Sequence, residues 1–394
     1  MSKRIYLDYA ASTPVDKEVM AAMSLYFKKE WGNPSSLHSF GQKARAAMES
    51  AREKVAKFLS CQPLEVVFTS GATEANNLAI QGVAKNFKFQ NPSVKPHIIT
   101  SAMEHESILS PIQELEGRGI IEVTYVKPGK EGIIDPADIG KAIKENTILI
   151  SIMYANSEIG TIQPIAEIGE LLKVKDKGLK VLFHTDAVQA AQFLDCNVQK
   201  LGVDMLTLSS HKIYGPKGVG VLYIKEGTML SPLNVGGGQE QGMRSGTENV
   251  AGIVGIGAAV EEIRNPKASV RNIKIRQLRD LLFKEVLKKI PGSLLTGSPT
   301  SRLPNNAHFR FQGIHGKDLA MLLDQKGFAV STGSACSEKT EEPSKVLLAL
   351  GLNIEESLSA LRVTLGKQTT KEEVVKFIKT LCFSVEKLRA NKVQ

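Results

Sequence analysis

The stretch MLTLSSHKIYGPKGVGVLYIK, Met205–Lys225, decides the fold because it holds two strand patterns and the turn between them. Its apolar runs MLTLS and VGVLYIK flank a polar segment with a Gly-Pro turn, which predicts a strand that returns as a hairpin. Lys212 comes at the end of the first run, beside His211. A lysine is rarely buried without a partner, so its place at a strand end predicts one nearby.

Five more runs of the same kind precede this stretch: EVVFTS, HIITS, IEVTYV, ILISIMY and VLFHT. Helical patterns alternate with them, for example EANNLAIQGVAKNF and PIAEIGELLKVKDKG. This alternation is typical of an α/β protein with a mainly parallel sheet between helices. The seven runs together predict a seven-stranded sheet.

A second region begins where the strand patterns become rare, with the charged helical pattern NIKIRQLRDLLFKEVLKKI. The strand candidates NNAHFRF, FAVST and LRVTLG follow, and the last helical pattern starts with Thr370 and Glu373 at the spacing of a capping box. We expect a large domain over residues 15–262. We expect a smaller α+β domain formed by residues 1–14 and 263–394.

Two glycine-rich segments carry different predictions. AGIVGIGAAVEEI does not follow a strand, so its small residues favour close helix packing over dinucleotide binding. NVGGGQEQGMRSGT is polar and is predicted to form a loop whose backbone approaches an anion. We expect no helix or strand within it.

The composition limits the classes of function. The 394 residues are 42% hydrophobic, no apolar run reaches the ~18 residues of a membrane helix, and the first residues lack a signal-peptide pattern. Four cysteines without paired spacing favour a reducing, cytoplasmic compartment and no metal site. The net charge of +9 is spread along the chain, so we expect no direct nucleic-acid binding.

Cys336 is the cysteine that the sequence marks as reactive. It lies among small and charged residues in STGSACSEKTEEPSKVLLALG, residues 331–351, whereas cysteine is usually buried as a small hydrophobe. Cys382 falls on the apolar stripe of the last helix, and Cys61 and Cys196 lie beside apolar residues. We expect these three thiols to be inert.

Polar residues follow several strands at the edge where α/β sheets bind ligands. After EVVFTS, the N–H groups of Gly71, Ala72 and Thr73 open a helix and would suit a phosphate, with an ordinary N-cap as the alternative. His105 follows HIITS and Asn156 follows ILISIMY. A structural role is the alternative for both.

Asp186 follows VLFHT, with Gln189 one helical turn further on. A carboxylate there is costly unless it meets a cation or hydrogen-bond donors. A strand-end lysine, Lys212, comes 26 residues later and completes a pattern that fits pyridoxal 5′-phosphate (PLP). The lysine would bind the cofactor covalently and the aspartate would pair with its pyridinium nitrogen. Each signal is weak alone, but their order on successive strands predicts PLP.

Eight motifs resemble those of a known enzyme family: YLDYAASTPVD, NPSSLHSFGQKAR, FTSGATEANNLAI, MEHES, HTDAVQ, SSHKIYGPKGVGVLYI, GGGQEQGMRSGTEN and STGSACSEKTEEPSKVLLALGL. They span nearly the whole chain and resemble the NifS/IscS-type cysteine desulfurases. These enzymes are fold-type I PLP-dependent transferases of the class V aminotransferase group. The resemblance therefore implies that fold and PLP as cofactor.

The resemblance also implies a cofactor contact for each matching residue. The PLP phosphate would contact Ala72, Thr73, Ser209 and His211, and the ring would contact His105, Asn156, Asp186 and Gln189. Lys212 would form the Schiff base. Thr247 would reach the phosphate in the partner subunit of a homodimer.

For the substrate, the resemblance implies that Arg362 binds the carboxylate of L-cysteine, a bidentate task that suits a guanidinium. Asn33 and His38 would be further substrate contacts. Catalysis would involve Lys212, His105 and Cys336. No resident metal is implied, although Cys336 would be able to contact an iron–sulfur cluster transiently.

The resemblance implies that sulfur leaves L-cysteine, giving L-alanine and a persulfide on Cys336. The acceptor would be a protein such as an iron–sulfur scaffold or a tRNA-thiolation relay, and no membrane is involved. Ser157 and Gln241 stand where many relatives have Asn and Arg, and residues 337–342 are more charged than usual, so the acceptor stays open.

Two alternatives remain at this stage. One is another PLP reaction on the same scaffold, such as selenocysteine lysis or transamination. Cys336 argues against transamination, which has no use for a loop thiol. The other is a partner-binding protein without activity, against which the intact Lys212, Asp186 and Arg362 argue.

Overall fold

A seven-stranded sheet positions the site in the computed structural model, which describes residues 4–175, 181–333 and 342–391. The strands of the described chain are β1 Ile5–Tyr6, β2 Val66–Thr69, β3 His97–Ser101, β4 Glu122–Val126, β5 Thr147–Ser151, β6 Leu182–Asp186, β7 Met205–Ser209, β8 Gly220–Ile224, β9 Ser293–Leu295, β10 Asn306–Phe311, β11 Phe328–Ala329 and β12 Ala360–Thr364. The helices are α1 Lys17–Lys28, α2 Ser39–Leu59, α3 Ala72–Gln90, α4 Glu106–Gly117, α5 Pro136–Ala142, α6 Ile165–Lys175, α7 Val198–Leu201, α8 Val250–Arg264, α9 Pro266–Lys289, α10 Gly316–Gln325, α11 Lys345–Ala349, α12 Ile354–Leu358 and α13 Lys371–Ala390.

The large sheet has the strand order β2-β8-β7-β6-β5-β3-β4. All seven predicted strands are in it, which confirms the predicted α/β fold class. Neighbours from β4 to β7 are parallel, whereas β8 is antiparallel to both β7 and β2. Strands β2 and β7 therefore run the same way. The carboxyl ends of six strands share one edge of the sheet, where the predicted polar residues follow them.

Close helix packing explains the glycines of α8. A Cβ on Gly257 would lie 2.7 Å from Cβ of Ala51 on α2, and a Cβ on Gly252 would lie 2.4 Å from Val219. Carbon atoms do not pack at these separations, so side chains here would push the helices apart. The prediction of helix packing for this segment is confirmed.

The C-terminal region has a three-stranded antiparallel sheet, β12-β10-β9, and a separate pair, β1-β11. A hydrophobic cluster joins Ile5 and Leu7 to residues of α9, α10 and α13. The capping box of α13 is confirmed, because Thr370 and Glu373 each accept a hydrogen bond from the other's backbone N–H. The domain boundaries remain a prediction. Strands β1 and β9 have only two and three residues, too few for a periodic pattern.

The three cysteines predicted to be inert lie in packed surroundings. Cys196 is buried, and Cys61 and Cys382 are half-buried against the hydrophobic clusters. Burial raises the pKa of Cys61 to about 12, with a contribution from Glu65. Such a thiol is protonated at neutral pH and is a poor nucleophile. Within the described ranges, the helices are too short or too polar to span a bilayer.

Candidate active site

A cavity of about 470 Å³ opens at the carboxyl edge of the large sheet. This volume suits a cofactor-sized ligand. The cavity gathers residues that the sequence predicted from separate strands: Ala72, Thr73, His105, Asp186, Gln189, Ser209, His211, Lys212 and Arg362. Cys336 lies outside the described residues.

The turn from β2 into α3 forms one end of the cavity. Helix α3 has 19 residues and begins at Ala72, so the first N–H groups lack carbonyl partners within the helix. Gly220 on β8 lies against this turn, and a Cβ there would come within 2.5 Å of the carbonyl carbon of Gly71. Only glycine at residue 220 lets the turn sit so close to the sheet.

Asp186 ends β6 with its carboxylate held by two donors. Its Oδ1 accepts the backbone N–H of Val188 at 2.9 Å, and its Oδ2 accepts Nδ2 of Asn76 at 2.9 Å. The side chain is largely buried. The two hydrogen bonds hold the carboxylate in one orientation, in which it can pair with a cation in the cavity.

His105 is the N-cap of α4, so it has the structural role that the sequence left open as an alternative. It also lines the cavity. Its Nδ1 accepts the backbone N–H of Ser107 at 3.1 Å. Burial lowers the pKa of His105, and Lys212 lowers it further, whereas Asp186 opposes the change. The imidazole is therefore neutral at pH 7.

Lys212 lies in a short 3₁₀ helix directly after β7. Its Nζ donates to the carbonyl oxygens of Ala10 at 2.6 Å and Ala11 at 2.9 Å. Gln189 donates to the same Ala10 carbonyl at 3.0 Å. The strand-end lysine thus has partners, as predicted, and they include backbone carbonyls of the N-terminal segment. The sequence patterns did not indicate this segment.

His211, next to this lysine, contacts the same N-terminal segment. Its Nδ1 is 3.2 Å from Oγ of Ser12, and its carbonyl accepts the hydroxyl of Thr13 at 2.9 Å. Burial lowers the pKa of His211 to about 4, with contributions from Lys212 and Lys217. This neutral ring can donate one hydrogen bond within the cavity.

Arg362 on β12 is a further cationic side chain of the cavity wall, which also includes Lys212 and Lys217. Its Nη2 donates to Oδ1 of Asp8 at 2.8 Å, and its Nη1 donates to the carbonyl of Ser157 at 3.0 Å. The side chain is 2% exposed, and its Nε has no hydrogen-bond partner among the described residues. A buried guanidinium with an unmatched N–H is suited to binding a further carboxylate.

Asn156 is fully buried but is not among the residues that line the cavity. Its Oδ1 accepts the N–H groups of Glu158 and Ile159, and its Nδ2 donates to the carbonyl of Met103 at 3.2 Å. The amide therefore shapes the loop after β5. Its contact with a ligand remains a prediction.

Three other predicted residues are exposed and lie away from this cavity: Asn33, His38 and Thr247. Asn33 accepts the N–H of Ser35, and His38 is the N-cap of α2. Their roles in substrate or cofactor binding remain predictions.

The glycine-rich segment before Thr247 contains a short 3₁₀ helix, Glu240–Gly242, which corrects the expectation of a loop without helix. Glu240 and Gln241 have φ of 48° and 59°, a conformation that costs energy outside glycine. Both Nη atoms of Arg52 donate to the Glu240 carboxylate at 2.8 Å, and Phe68 N–H donates to it at 2.8 Å. This buried ion pair holds the turn, and no sequence pattern indicated it.

Residues 5–377 match the aminotransferase class-V family. The chain is 48% identical over 390 residues to a cysteine desulfurase IscS of Dictyoglomus turgidum, covering 99% of this chain and 96% of that protein. A solved NifS-like protein superposes with a TM-score of 0.90 at 37% identity, covering 98% and 100% of the two chains. The structure of SspA in complex with cysteine superposes with a TM-score of 0.81 at 37% identity, covering 93% and 100%. These similarities confirm the family resemblance.

We predict that Glu240→Gln lowers the free energy of unfolding by roughly 3 kcal/mol, because it leaves the Arg52 charge buried without its counter-ion. Glu49→Gln is the matched control. Glu49 contacts the same arginine at 3.2 Å but is half exposed, so its loss should cost less than about 1 kcal/mol. Urea unfolding followed by circular dichroism measures both. Equal effects of the two substitutions would contradict the assignment.

Proposed function

This chain belongs to the aminotransferase class-V family, among its cysteine desulfurases, and from this premise we propose that it uses PLP to remove sulfur from L-cysteine. The observation that carries the proposal is the single cavity that joins Lys212, Asp186 and His105 to an anion-binding helix start and to Arg362. A transaminase would need the same cofactor residues, but it has no use for the loop thiol of Cys336.

The donor set of the cavity fits PLP. The first N–H groups of α3, with Ser209 and His211, would hold the phosphate, and Asp186 would pair with the ring nitrogen. The flat ring of His105 would stack on the cofactor, and Nζ of Lys212 would bind it covalently. When bound, PLP supplies an electron sink for charge that develops at the substrate α-carbon.

Side chains of the protein would carry out substrate binding, proton transfer and attack on the sulfur. Arg362 would hold the substrate carboxylate, and Lys212 Nζ would move the proton of the α-carbon as general base. The thiolate of Cys336 would attack the substrate sulfur, so that an S–S bond forms while the C–S bond breaks. The products would be L-alanine and a persulfide on Cys336.

The chain trace before Cys336 supports this role. Ser331 exchanges two backbone hydrogen bonds with Arg362, at 2.7 and 3.2 Å. Cys336 comes five residues later, and five residues span at most about 18 Å. The described chain thus leads toward Cys336 from a position directly beside Arg362.

The acceptor and the cellular setting are further parts of the proposal. We infer that the persulfide sulfur passes to a protein such as an iron–sulfur scaffold or a tRNA-thiolation relay, in the cytoplasm. The two candidate acceptors can be distinguished by mixing each with persulfide-loaded enzyme and measuring sulfur on the acceptor.

We also propose that the protein is a homodimer. Four large apolar side chains between residues 27 and 40 are 46–92% exposed: Phe27, Trp31, Leu37 and Phe40. Trp31 and Phe40 contact each other, with ring centroids 5.6 Å apart. A second copy that covers this surface would remove it from water. The dimer would also bring Thr247 of one subunit to the phosphate bound by the other.

We predict that Cys336→Ser abolishes sulfide release, because a hydroxyl cannot take up the sulfur. Cysteine should still bind, as judged by the absorbance change of the PLP-loaded protein. Cys61→Ser is the control, since that thiol is half-buried and protonated. Sulfide and alanine are measured together after adding L-cysteine. Normal sulfide release by Cys336→Ser would refute the mechanism.

We predict that Arg362→Ala weakens cysteine binding about 10- to 150-fold, which corresponds to the loss of a charge-assisted contact of roughly 1.5–3 kcal/mol. Arg362→Lys should restore binding only in part, because an ammonium lacks the planar fork. Arg310→Ala is the control, since Arg310 pairs with Glu356 away from the cavity. The measurement is the cysteine dependence of alanine formation. An unchanged KM in both Arg362 variants removes this residue from the site.

We predict that a mixed dimer of one Lys212→Ala chain and one Thr247→Arg chain recovers about half of normal activity. If Thr247 acts across the interface, one site receives both lesions and the other receives none. If Thr247 acts within its own chain, each site has one lesion and activity stays lost. Differently tagged chains allow the mixed dimer to be purified before the assay.

A further inference from the structure

A buried chain of hydrogen bonds joins His105 to Asp186 through two side chains without a role so far. Oγ of Ser107 lies 2.9 Å from Nδ1 of His105 and 2.8 Å from Nδ2 of Asn76. The same Nδ2 donates to Oδ2 of Asp186 at 2.9 Å. Asn76 is 0% and Ser107 6% exposed. Helices α3 and α4 are thus tied together beneath the cavity.

The direction of each hydrogen bond follows from which of its groups can donate and which can accept. A carboxylate only accepts and an amide nitrogen only donates, so the two N–H bonds of Asn76 point to Asp186 and to Ser107. The hydroxyl of Ser107 accepts from Asn76 and has its own proton available for Nδ1 of His105. The backbone N–H of Ser107 also donates to Nδ1 at 3.1 Å. Nδ1 therefore faces two donors and cannot carry a proton.

The oxygen of the Asn76 side chain shows that this arrangement lowers the stability of the fold. Oδ1 of Asn76 is buried and has no hydrogen-bond partner in the described part of the chain. An unpaired buried carbonyl oxygen destabilises a fold, and an apolar side chain at this position would avoid the penalty. Turning the amide over would place its oxygen against the Asp186 carboxylate. The contribution of Asn76 to the structure is therefore its two side-chain N–H groups, not its oxygen.

We propose that Asn76 and Ser107 are positioning residues that hold His105 as the neutral tautomer with its proton on Nε2. His105 then presents a hydrogen-bond donor to the cavity rather than a base, and the first proton abstraction falls to Lys212. The same amide keeps the Asp186 carboxylate oriented. The proposal rests on the proposed function only for the identity of the bound ligand.

The charged groups around His105 agree with a neutral ring. Glu106 lies on its own helix, Asp186 faces it from β6, and Lys212 faces it from the 3₁₀ helix. Burial and Lys212 lower the pKa of His105, against the opposing effects of Asp186 and Glu106. Glu104 is buried, and burial raises its pKa well above the ordinary value, which disfavours its charged form.

The test is ¹⁵N NMR of the histidine rings in PLP-loaded and PLP-free protein. The chain has 7 histidines, and the signals of His105 are those that vanish in His105→Gln. We expect Nδ1 without a proton and Nε2 with one between about pH 6 and 8. A protonated Nδ1 in the unaltered protein overturns the proposal. This readout does not depend on sulfide release, so it can fail while the proposed function holds, or hold while that function fails.

Two variants test the relay, the hydrogen-bond chain that runs from Asp186 through Asn76 and Ser107 to His105. Asn76→Ala lets the Ser107 hydroxyl turn away from Nδ1, which then keeps only the backbone N–H of Ser107 as a donor. With one donor fewer facing Nδ1, protonation of the ring is less opposed, so His105 should titrate at higher pH. The dissociation constant of PLP should rise about tenfold, the order expected for losing a hydrogen bond to a charged group. Asn77→Ala is the matched control, because Asn77 bonds only to the Thr73 carbonyl and to Gln81.

Ser107→Ala is the second relay variant, in case Asn76→Ala does not fold. It keeps the backbone N–H but removes the link to Asn76, so the titration should shift in the same direction. Ser107→Thr keeps the hydroxyl and should restore the original titration. Ring signals and PLP affinity that match those of Asn77→Ala in both relay variants would reject a positioning role.

Discussion

Nζ of Lys212 donates to the backbone carbonyls of Ala10 and Ala11, and the site depends on this contact. A buried amino group needs acceptors that replace water, and here the N-terminal segment provides them from about 200 positions away in sequence. The same segment accepts from Gln189, so three elements meet at one carbonyl. Residues 10–11 therefore fix the lysine against the edge of the large sheet.

The segment also connects the two regions of the chain. Asp8 pairs with Arg362 on the smaller sheet, and the N–H of Ala10 donates to the hydroxyl of Thr364. Lys212 and Arg362 are thus both contacted by residues 8–11, the lysine by backbone carbonyls and the arginine by a carboxylate. Asp8 offsets the charge of Arg362 when no substrate is present, which lets a guanidinium stay buried at 2% exposure. An incoming carboxylate would then bind to a cation whose geometry is already set.

The sequence predicted the sheet and most of the cavity because both follow from local patterns. Short β-branched runs mark the strands, and the shared carboxyl edge of a parallel sheet brings His105, Asp186 and Lys212 together without knowledge of their contacts. The patterns do not indicate Asp8, Asn76 or Ser107. The contacts Asn76–Ser107, Asn76–Asp186 and Asp8–Arg362 join residues 31, 110 and 354 positions apart and follow no periodicity.

Asn156 shows a related limit. Its position after β5 predicted an amide at the edge of the sheet, and the amide is there. Its hydrogen bonds, however, go to the backbone of its own loop and to Met103. Which polar group a short amide side chain satisfies depends on the exact path of the loop, and a strand pattern does not encode that path.

The hydrogen-bond chain from Asp186 to His105 gives the two residues one shared constraint. The Asp186 carboxylate accepts one N–H of Asn76, and the other N–H of the same amide points to Ser107. The Ser107 hydroxyl and its backbone N–H both face Nδ1 of His105, so Nδ1 carries no proton while the same chain orients the aspartate. The geometry therefore gives two side chains different roles. Lys212 is placed to accept a proton, and His105 is placed to donate a hydrogen bond.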